Sequence, residues 1–211
     1  MTKLKWLRSL ASSSLFWRFR HLLQPDWVTT YGSTIEKSFL DDLIATSKIT
    51  SVLDFGCAAG SDLERIKNLD NKIAVFGVDI NAKAIKSCKS RFRLKFQEGF
   101  YFSTKLNRNE IESFIEENKI SKIDLVIIDR VFYCFNEGGI DNTLKTLSPY
   151  VDRIFIDDFY DDGGTYIGYK HRRWDSIFDR HNYMVETNIE TIHKTVEHAN
   201  ARTMVFKKVP A

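Results

Sequence analysis

The stretch Val52-Leu53-Asp54-Phe55-Gly56-Cys57-Ala58-Ala59-Gly60-Ser61 constrains the fold more than any other. Its apolar start reads as a buried strand. The two glycines beyond it let the backbone turn sharply and approach a ligand closely. Ser61, with Glu64 three residues on, has the spacing of a capping box that opens a helix. Strand, tight turn and helix then recur along the chain. Ala74 to Asp79 reads as a second strand, and Asn81 as the cap of the helix after it. Leu94 to Phe100 reads as a third strand. Asn109 to Asn118 reads as a helix with Ile111, Phe114 and Ile115 turned inward. Leu125 to Asp129 is almost purely apolar, as in a parallel strand covered on both faces. A helix over Asp141 to Leu147 ends before Pro149, and Arg153 to Asp157 is a fifth strand. Arg172 to Arg180 reads as a helix with Trp174, Ile177 and Phe178 inward. Two last strands, Tyr183 to Ile189 and Arg202 to Lys207, are too close in sequence for a helical crossover and should pair antiparallel.

Repeated strand–helix units predict an α/β fold. It is a doubly wound, mostly parallel seven-stranded sheet with helices on both faces and an antiparallel C-terminal strand. The chain of 211 residues suits one such domain, assigned to 31–211. Within it Ser33 and Glu36 form another capping box, and the helix they open buries Ile35, Phe39, Leu40, Leu43 and Ile44. Residues 1–30 read as a basic, amphipathic helical extension. From Met1 to Pro25 there is no acid, but Lys3, Lys5, Arg8, Arg18 and Arg20 are present. With Trp6, Phe16, Trp17 and Phe19, the arm over 3–23 could make a peripheral contact with an anionic membrane. The competing reading is a helix packed over the site or against a second subunit.

The formal net charge of +3 is too mild to predict nucleic acid as a partner. Cys57, Cys88 and Cys134 form no metal-type pair and suit no disulfide framework. They predict reduced thiols and a cytoplasmic setting.

Ligands of doubly wound sheets bind beyond the carboxyl ends of the strands, where strand order reverses. The residues there are the glycine loop, Gly77-Val78-Asp79-Ile80-Asn81, and the ends of the fourth and fifth strands. Asp79 lies about 20 residues past the loop, a spacing at which a carboxylate can hold both ribose hydroxyls. V-L-D-F-G-C-A-A-G resembles the first motif of class I S-adenosyl-L-methionine (SAM) dependent methyltransferases, and G-V-D-I-N resembles their second. The resemblance spans roughly Val52 to Phe206. It implies a Rossmann-like fold, SAM as cofactor and methyl transfer as the activity. The cofactor-binding residues it implies are Asp54, Gly56, Ala58, Gly60, Asp79 and Ile80. Ala58 stands where the family usually has a glycine. The Gly-Asp that often meets adenine at the third strand is replaced by Gly99-Phe100, which leaves adenine to the backbone or to Glu98. A nicotinamide-dependent oxidoreductase is the rival, but its G-x-G-x-x-G fingerprint fails at Ala58 and Ser61. A non-catalytic SAM-binding or scaffolding protein is the other alternative.

The fold prescribes no universal catalytic residue, because methyl transfer needs mainly alignment, exclusion of water and, for some acceptors, removal of a proton. Asp129-Arg130-Val131-Phe132 differs from the [DNS]-P-P-[YFW] of adenine amino methylases, and no Pro-Cys nucleophile of cytosine chemistry is present. A small-molecule or glycan acceptor, including a lipid-linked glycan, is the expectation that this elimination leaves, and O-methylation of a hydroxyl is what the acids at the ends of the fourth and fifth strands imply through their resemblance to O-methyltransferases. Asp129, Asp158 and His171 are the candidate catalytic residues. The layout of Asp129 with Asp157 and Asp158 resembles cation-dependent and sugar O-methyltransferases, and implies that those three acids could hold Mg2+. The Tyr- and Gly-rich stretch from Asp158 to Arg173 is the expected acceptor lid.

Overall fold

The computed structural model describes residues 35–160, 165–166, 169–190 and 201–210. The proposed arm over 3–23, the Ser33 cap and much of the expected lid lie outside them. The order of elements is α1 (Ile35–Thr46), β1 (Ser51–Phe55), α2 (Ser61–Leu69), β2 (Ala74–Val78), α3 (Ala82–Lys95), β3 (Phe100–Ser103) and α4 (Arg108–Asn118). Then come β4 (Ile123–Asp129), a 3-10 turn (Phe132–Cys134), α5 (Glu137–Leu147) and β5 (Val151–Phe159). A two-residue ribbon, β6 (Thr165–Tyr166) with β7 (Tyr169–Lys170), leads to α6 (Trp174–Asp179), β8 (Tyr183–Glu190) and β9 (Ala201–Lys208).

Seven strands form one sheet in the order β3-β2-β1-β4-β5-β9-β8. Strands β1 to β5 pair in parallel. β9 pairs antiparallel with both β5 and β8, so it alone runs against the other six. This is the fold class expected from the sequence, with the last strand inserted between the fifth and the sixth.

Neighbouring residues in each strand point to opposite faces, so the sheet divides the core in two. Leu53, Phe76, Val126, Ile128, Ile154 and Ile156 pack on one side with Phe114 of α4, Leu144 of α5, and Trp174 and Phe178 of α6. Val52, Val75, Leu125, Ile127 and Phe155 pack on the other with Leu40 and Ile44 of α1, Leu63 of α2, and Phe92 of α3. β1 and β4 bury nearly every residue, which explains the apolar run Leu125-Val126-Ile127-Ile128 within β4.

Two local expectations are corrected. The third strand is Phe100–Ser103, not Leu94 to Phe100, because α3 continues to Lys95. Leu94 is 88% exposed, and its apolar character mimics a strand start. Lys95 and Arg91, one helical turn apart, both reach Glu64 of α2 and hold the last turn helical. Gly99, at φ +74, then makes the bend into β3 that the left-handed region allows. The cap of α2 is Gly60, with no side-chain cap bond, rather than Ser61 in a capping box. The Glu64 amide donates to the Gly60 carbonyl, while the Glu64 side chain serves α3.

Candidate functional site

The strand order reverses between β1 and β4, so the loops after those strands splay apart and open a crevice. The first loop has an unusual backbone. Gly56 (φ +94), Ala58 (φ +48) and Gly60 (φ +77) all lie in the left-handed region, at every second residue. This alternation keeps the chain tightly curled. The Gly56 and Cys57 amides both donate to the Val78 carbonyl, at 2.7 and 3.1 Å, and Gly60 closes a turn on the Cys57 carbonyl at 2.7 Å. A side chain at Gly56 would run into the methyls of Val131 beyond β4. Gly77 is tight for a similar reason, since a Cβ there would lie 2.5 Å from the Phe102 ring and 2.9 Å from Cys57 Sγ. Ala58 tolerates a positive φ that costs an ordinary residue about 1–2 kcal/mol.

Asp79 fastens this loop to the end of β2. Its Oδ2 accepts from the Ala58 amide at 2.9 Å, and its Oδ1 from the Asn81 amide at 2.7 Å. A carboxylate offers about four acceptor positions, so these bonds aim the group without exhausting it. Asn81 caps α3 through the Lys83 and Ala84 amides, as expected. Ile80 is 38% exposed beside Asp79 and offers an apolar surface at the mouth of the crevice. From α3, Arg91 donates to the Ala59 carbonyl and Cys88 Sγ to the Ala58 carbonyl. The loop is thus held from both sides in a shape that turns its backbone to the crevice. Glu98 and Gly99 precede β3 and sit at the opposite end of that strand, so they do not reach the crevice. The end that does is Ser103, whose carbonyl accepts from the Asp79 amide at 3.2 Å.

Asp54, fully buried on β1, lies below the loop. Burial pushes its carboxyl well above the usual range, and Asp62 reinforces this while Lys37 opposes it. Lys37 was not among the sequence candidates. Its ammonium lies 2.6 Å from Asp62 Oδ2 and 2.5 Å from Asp129 Oδ2, with 7% of the side chain exposed. Burial disfavours the charge, yet Asp129 and Asp62 outweigh it and hold Lys37 above the ordinary lysine range. Arg65 donates to the Lys37 carbonyl at 3.0 Å and pairs with Asp41, fixing α1 over α2. One signal was legible beforehand: Lys37 shares the i, i+3, i+7 stripe of Leu40 and Ile44, and a lysine on a buried stripe needs partners.

The three acids at the ends of β4 and β5 do not converge. Asp129 faces Lys37. Asp157 receives Arg130 Nε at 2.6 Å and the Thr203 hydroxyl at 2.6 Å. Asp158 is fully buried and accepts the Tyr133 amide at 3.0 Å and its neighbour Phe159's amide at 2.8 Å. Strand alternation puts Asp157 and Asp158 on opposite faces of the sheet. No group of three or more metal-ligating side chains exists among the described residues. The Mg2+ expectation at Asp129, Asp157 and Asp158 is therefore not supported, for the physical reason that arginine, lysine and backbone donors already occupy these carboxylates.

Burial raises the Asp158 carboxyl to about 7, while Arg130 and the two amides pull against it. His171, a second candidate base, is buried and stacked on Phe159, with ring centroids 5.5 Å apart and 13° between the planes. Arg130 adopts φ +52 and lays its guanidinium 5.1 Å from the Phe159 ring centroid. Arg172 donates to the Phe132 and Phe135 carbonyls and pins the 3-10 turn. Asp158, Phe159, His171, Arg130 and Tyr133 thus gather on one side of the crevice, and Asp54, Asp62, Asp79 and Lys37 on the other, with Asp129 between.

Cys57, Cys88 and Cys134 are not joined in disulfides. No helix among the described residues is long and apolar enough to cross a membrane.

Comparison with known proteins agrees with this geometry. The solved mitomycin 7-O-methyltransferase MmcR superposes with TM-score 0.64 at 10% identity, over 96% of this chain and 60% of its own length, so this chain spans well under two thirds of that enzyme. The plantazolicin methyltransferase BpumL, solved with a desmethyl substrate analogue and S-adenosylhomocysteine (SAH), superposes with TM-score 0.60 at 15% identity over 98% of both chains. The N-methyltransferase NodS of Bradyrhizobium japonicum WM9 does so with TM-score 0.59 at 11% identity, over 83% of this chain and 94% of its own. A search of curated proteins finds no match. A family model described as a methyltransferase domain matches residues 46–155, more than half of the chain, from just before β1 to the middle of β5. The chain belongs to this methyltransferase domain family and carries the class I, SAM-dependent fold.

Proposed function

We propose that the protein transfers the methyl group of SAM to a hydroxyl of a small-molecule or carbohydrate acceptor, a lipid-linked glycan included. The observation that carries this reading is Asp129. It ends β4 between the cofactor loop and the aromatic side of the crevice, its side chain is 21% exposed, and its charge is held in place by Lys37. A hydroxyl must lose its proton as the methyl arrives, and a carboxylate at that position can take it or orient the group that does. Tyr133, half-buried beside Phe159, offers a flat face of the kind that holds a sugar or small ring, and Phe159, His171 and Arg130, packed on one another, back it from within.

Bound SAM would supply an electrophilic methyl on a sulfonium. The chain's own work is then geometric. Gly56, Ala58 and Gly60 shape the loop that the methionine part would follow. Asp54 lies beneath that loop, and Asp79 with Ile80 would take the ribose and adenine side. Alignment of the acceptor against the methyl is the main source of rate in such a reaction.

The fold neighbours include enzymes named for O-methylation and one for N-methylation, so the acceptor atom rests on Asp129 and not on the likeness. The direct experiment incubates the protein with SAM carrying a labelled methyl and a panel of hydroxyl- and amine-bearing acceptors. Label on a hydroxyl, lost in Asp129→Asn with SAM binding retained, supports the reading. Label only on amines would replace it. A protein that binds SAM and labels nothing in the panel would favour the scaffolding alternative.

A further inference from the structure

The cofactor crevice has an uneven charge. Asp54, Asp62, Asp79 and Asp129 reach it from β1, α2 and the ends of β2 and β4, and the Lys37 ammonium touches two of them. These groups feel one another: Asp62, Asp129 and Asp79 all act to raise the Asp54 carboxyl, and Lys37 acts to lower it. Each member of the Lys37–Asp62–Asp129 set keeps less than a quarter of its side chain exposed. Solvent and salt therefore screen the set incompletely, and a unit charge there acts over several ångströms.

SAM and SAH are the same molecule except for one methyl and one charge. SAM carries a sulfonium; SAH carries a neutral thioether. Their ammonium, carboxylate, ribose and adenine are common to both, so whatever the loop does for those groups cancels in the ratio of the two affinities. What remains is the response of the crevice to a positive charge.

We propose that Lys37 sets the charge balance of this crevice and thereby limits its preference for the sulfonium of SAM over the thioether of SAH. The proposal rests on the SAM-dependent reading above. Lys37 is a positioning residue here: it acts through Asp62 and Asp129. By offsetting their charge it weakens the hold on the cofactor relative to the spent product, and holds α1 against the crevice as it does so.

The test is calorimetric titration of the full chain with SAM and with SAH, in the wild type and in Lys37→Met, Lys37→Arg and Asp129→Asn. Circular dichroism checks the fold of each. The readout is the ratio of the SAH dissociation constant to the SAM dissociation constant. Lys37→Met should raise that ratio about fivefold or more, even where both ligands bind more weakly. Asp129→Asn should lower it by a similar factor, and Lys37→Arg should keep it within about twofold, since the charge remains. If Lys37→Met does not fold, Asp129→Asn alone carries the test. A ratio that stays within about twofold in both charge-changing variants, or moves the other way, overturns the proposal and leaves Lys37 as a structural pin. Failure of both ligands to bind folded wild-type protein is a different result, which removes the SAM reading itself and this proposal with it.

Discussion

Gly56→Ala is the sharpest probe of the glycine loop after β1, because two separate costs can be worked from the geometry. The first is conformational. Gly56 sits at φ +94, and a residue with a Cβ loses about 1–2 kcal/mol in the left-handed region. The second is steric. The new methyl would overlap Val131 Cγ2 and approach Cγ1 to 3.3 Å. Forcing an extra carbon into a packed site costs about 1–3 kcal/mol. Together these give about 2–5 kcal/mol, a large share of the roughly 5–15 kcal/mol that holds a domain together. Val131→Ala should relieve only the steric part, so in Gly56→Ala/Val131→Ala about 1–3 kcal/mol should return. The assay is urea denaturation of the wild type, both single variants and the double variant, with SAM affinity measured on each. The coupling energy between the two sites then isolates the contact. A Gly56→Ala cost under about 1 kcal/mol, or purely additive effects, would refute the reasoning. The first outcome would mean that the loop relaxes away from its left-handed form, the second that Val131 does not wall it.

Asp79→Ala should weaken SAM at least about tenfold, or about 1.4 kcal/mol, because it removes the carboxylate proposed for the ribose and frees the Ala58 amide; calorimetry against wild type checks it. Asp158 should give a pH signature. Its folded carboxyl is raised to about 7, against about 3.9 unfolded, so the folded state binds the extra proton. This contribution is full below the unfolded value, falls as pH rises from about 4 to 7, and is flat above. Asp158→Asn should flatten that part of the stability–pH curve measured by urea melts, and an unchanged slope would mean that another group causes it. Because Asp129, Asp157 and Asp158 each bind donors within the protein, EDTA should leave SAM affinity and turnover within about twofold; a loss restored by Mg2+ would reinstate the metal. Lys67 donates to the carbonyls of Asn71, Ile73 and Glu98 and carries no carboxylate partner in these bonds. Lys67→Met should cost about 1–3 kcal/mol, since it leaves the buried Ile73 carbonyl at the entry to β2 unmet, and thermal melts will read it.

Much of this molecule was legible in one dimension, for a definite reason. Strand burial on both faces leaves an unbroken apolar run, and residues 125–128 show it. Sharp turns with positive φ select glycine, so Gly56 and Gly60 mark the tight turn after β1 without any knowledge of its surroundings. Asn81 marks a helix start because its cap bonds are to amides two and three residues away. Each of these signals is local, and local interactions are what a sequence spells out.

What failed to read from the sequence depended on partners distant along the chain. Leu94 looked like the start of a strand until Arg91 and Lys95 found Glu64 and kept the helix going. Ser61 looked like a cap until Gly60, bent into the left-handed region, took the position. Asp129, Asp157 and Asp158 looked like one ligand set, because sequence position does not reveal that Lys37, 92 residues away, would occupy the first of them, or that Arg130 and the Tyr133 amide would take the other two. The fold class and the tight glycine loop follow from backbone rules that act over a few residues, so they stand in the sequence. Which charges meet in the crevice was left to the folded chain, because electrostatic pairing depends on distance in space and not on distance along the chain.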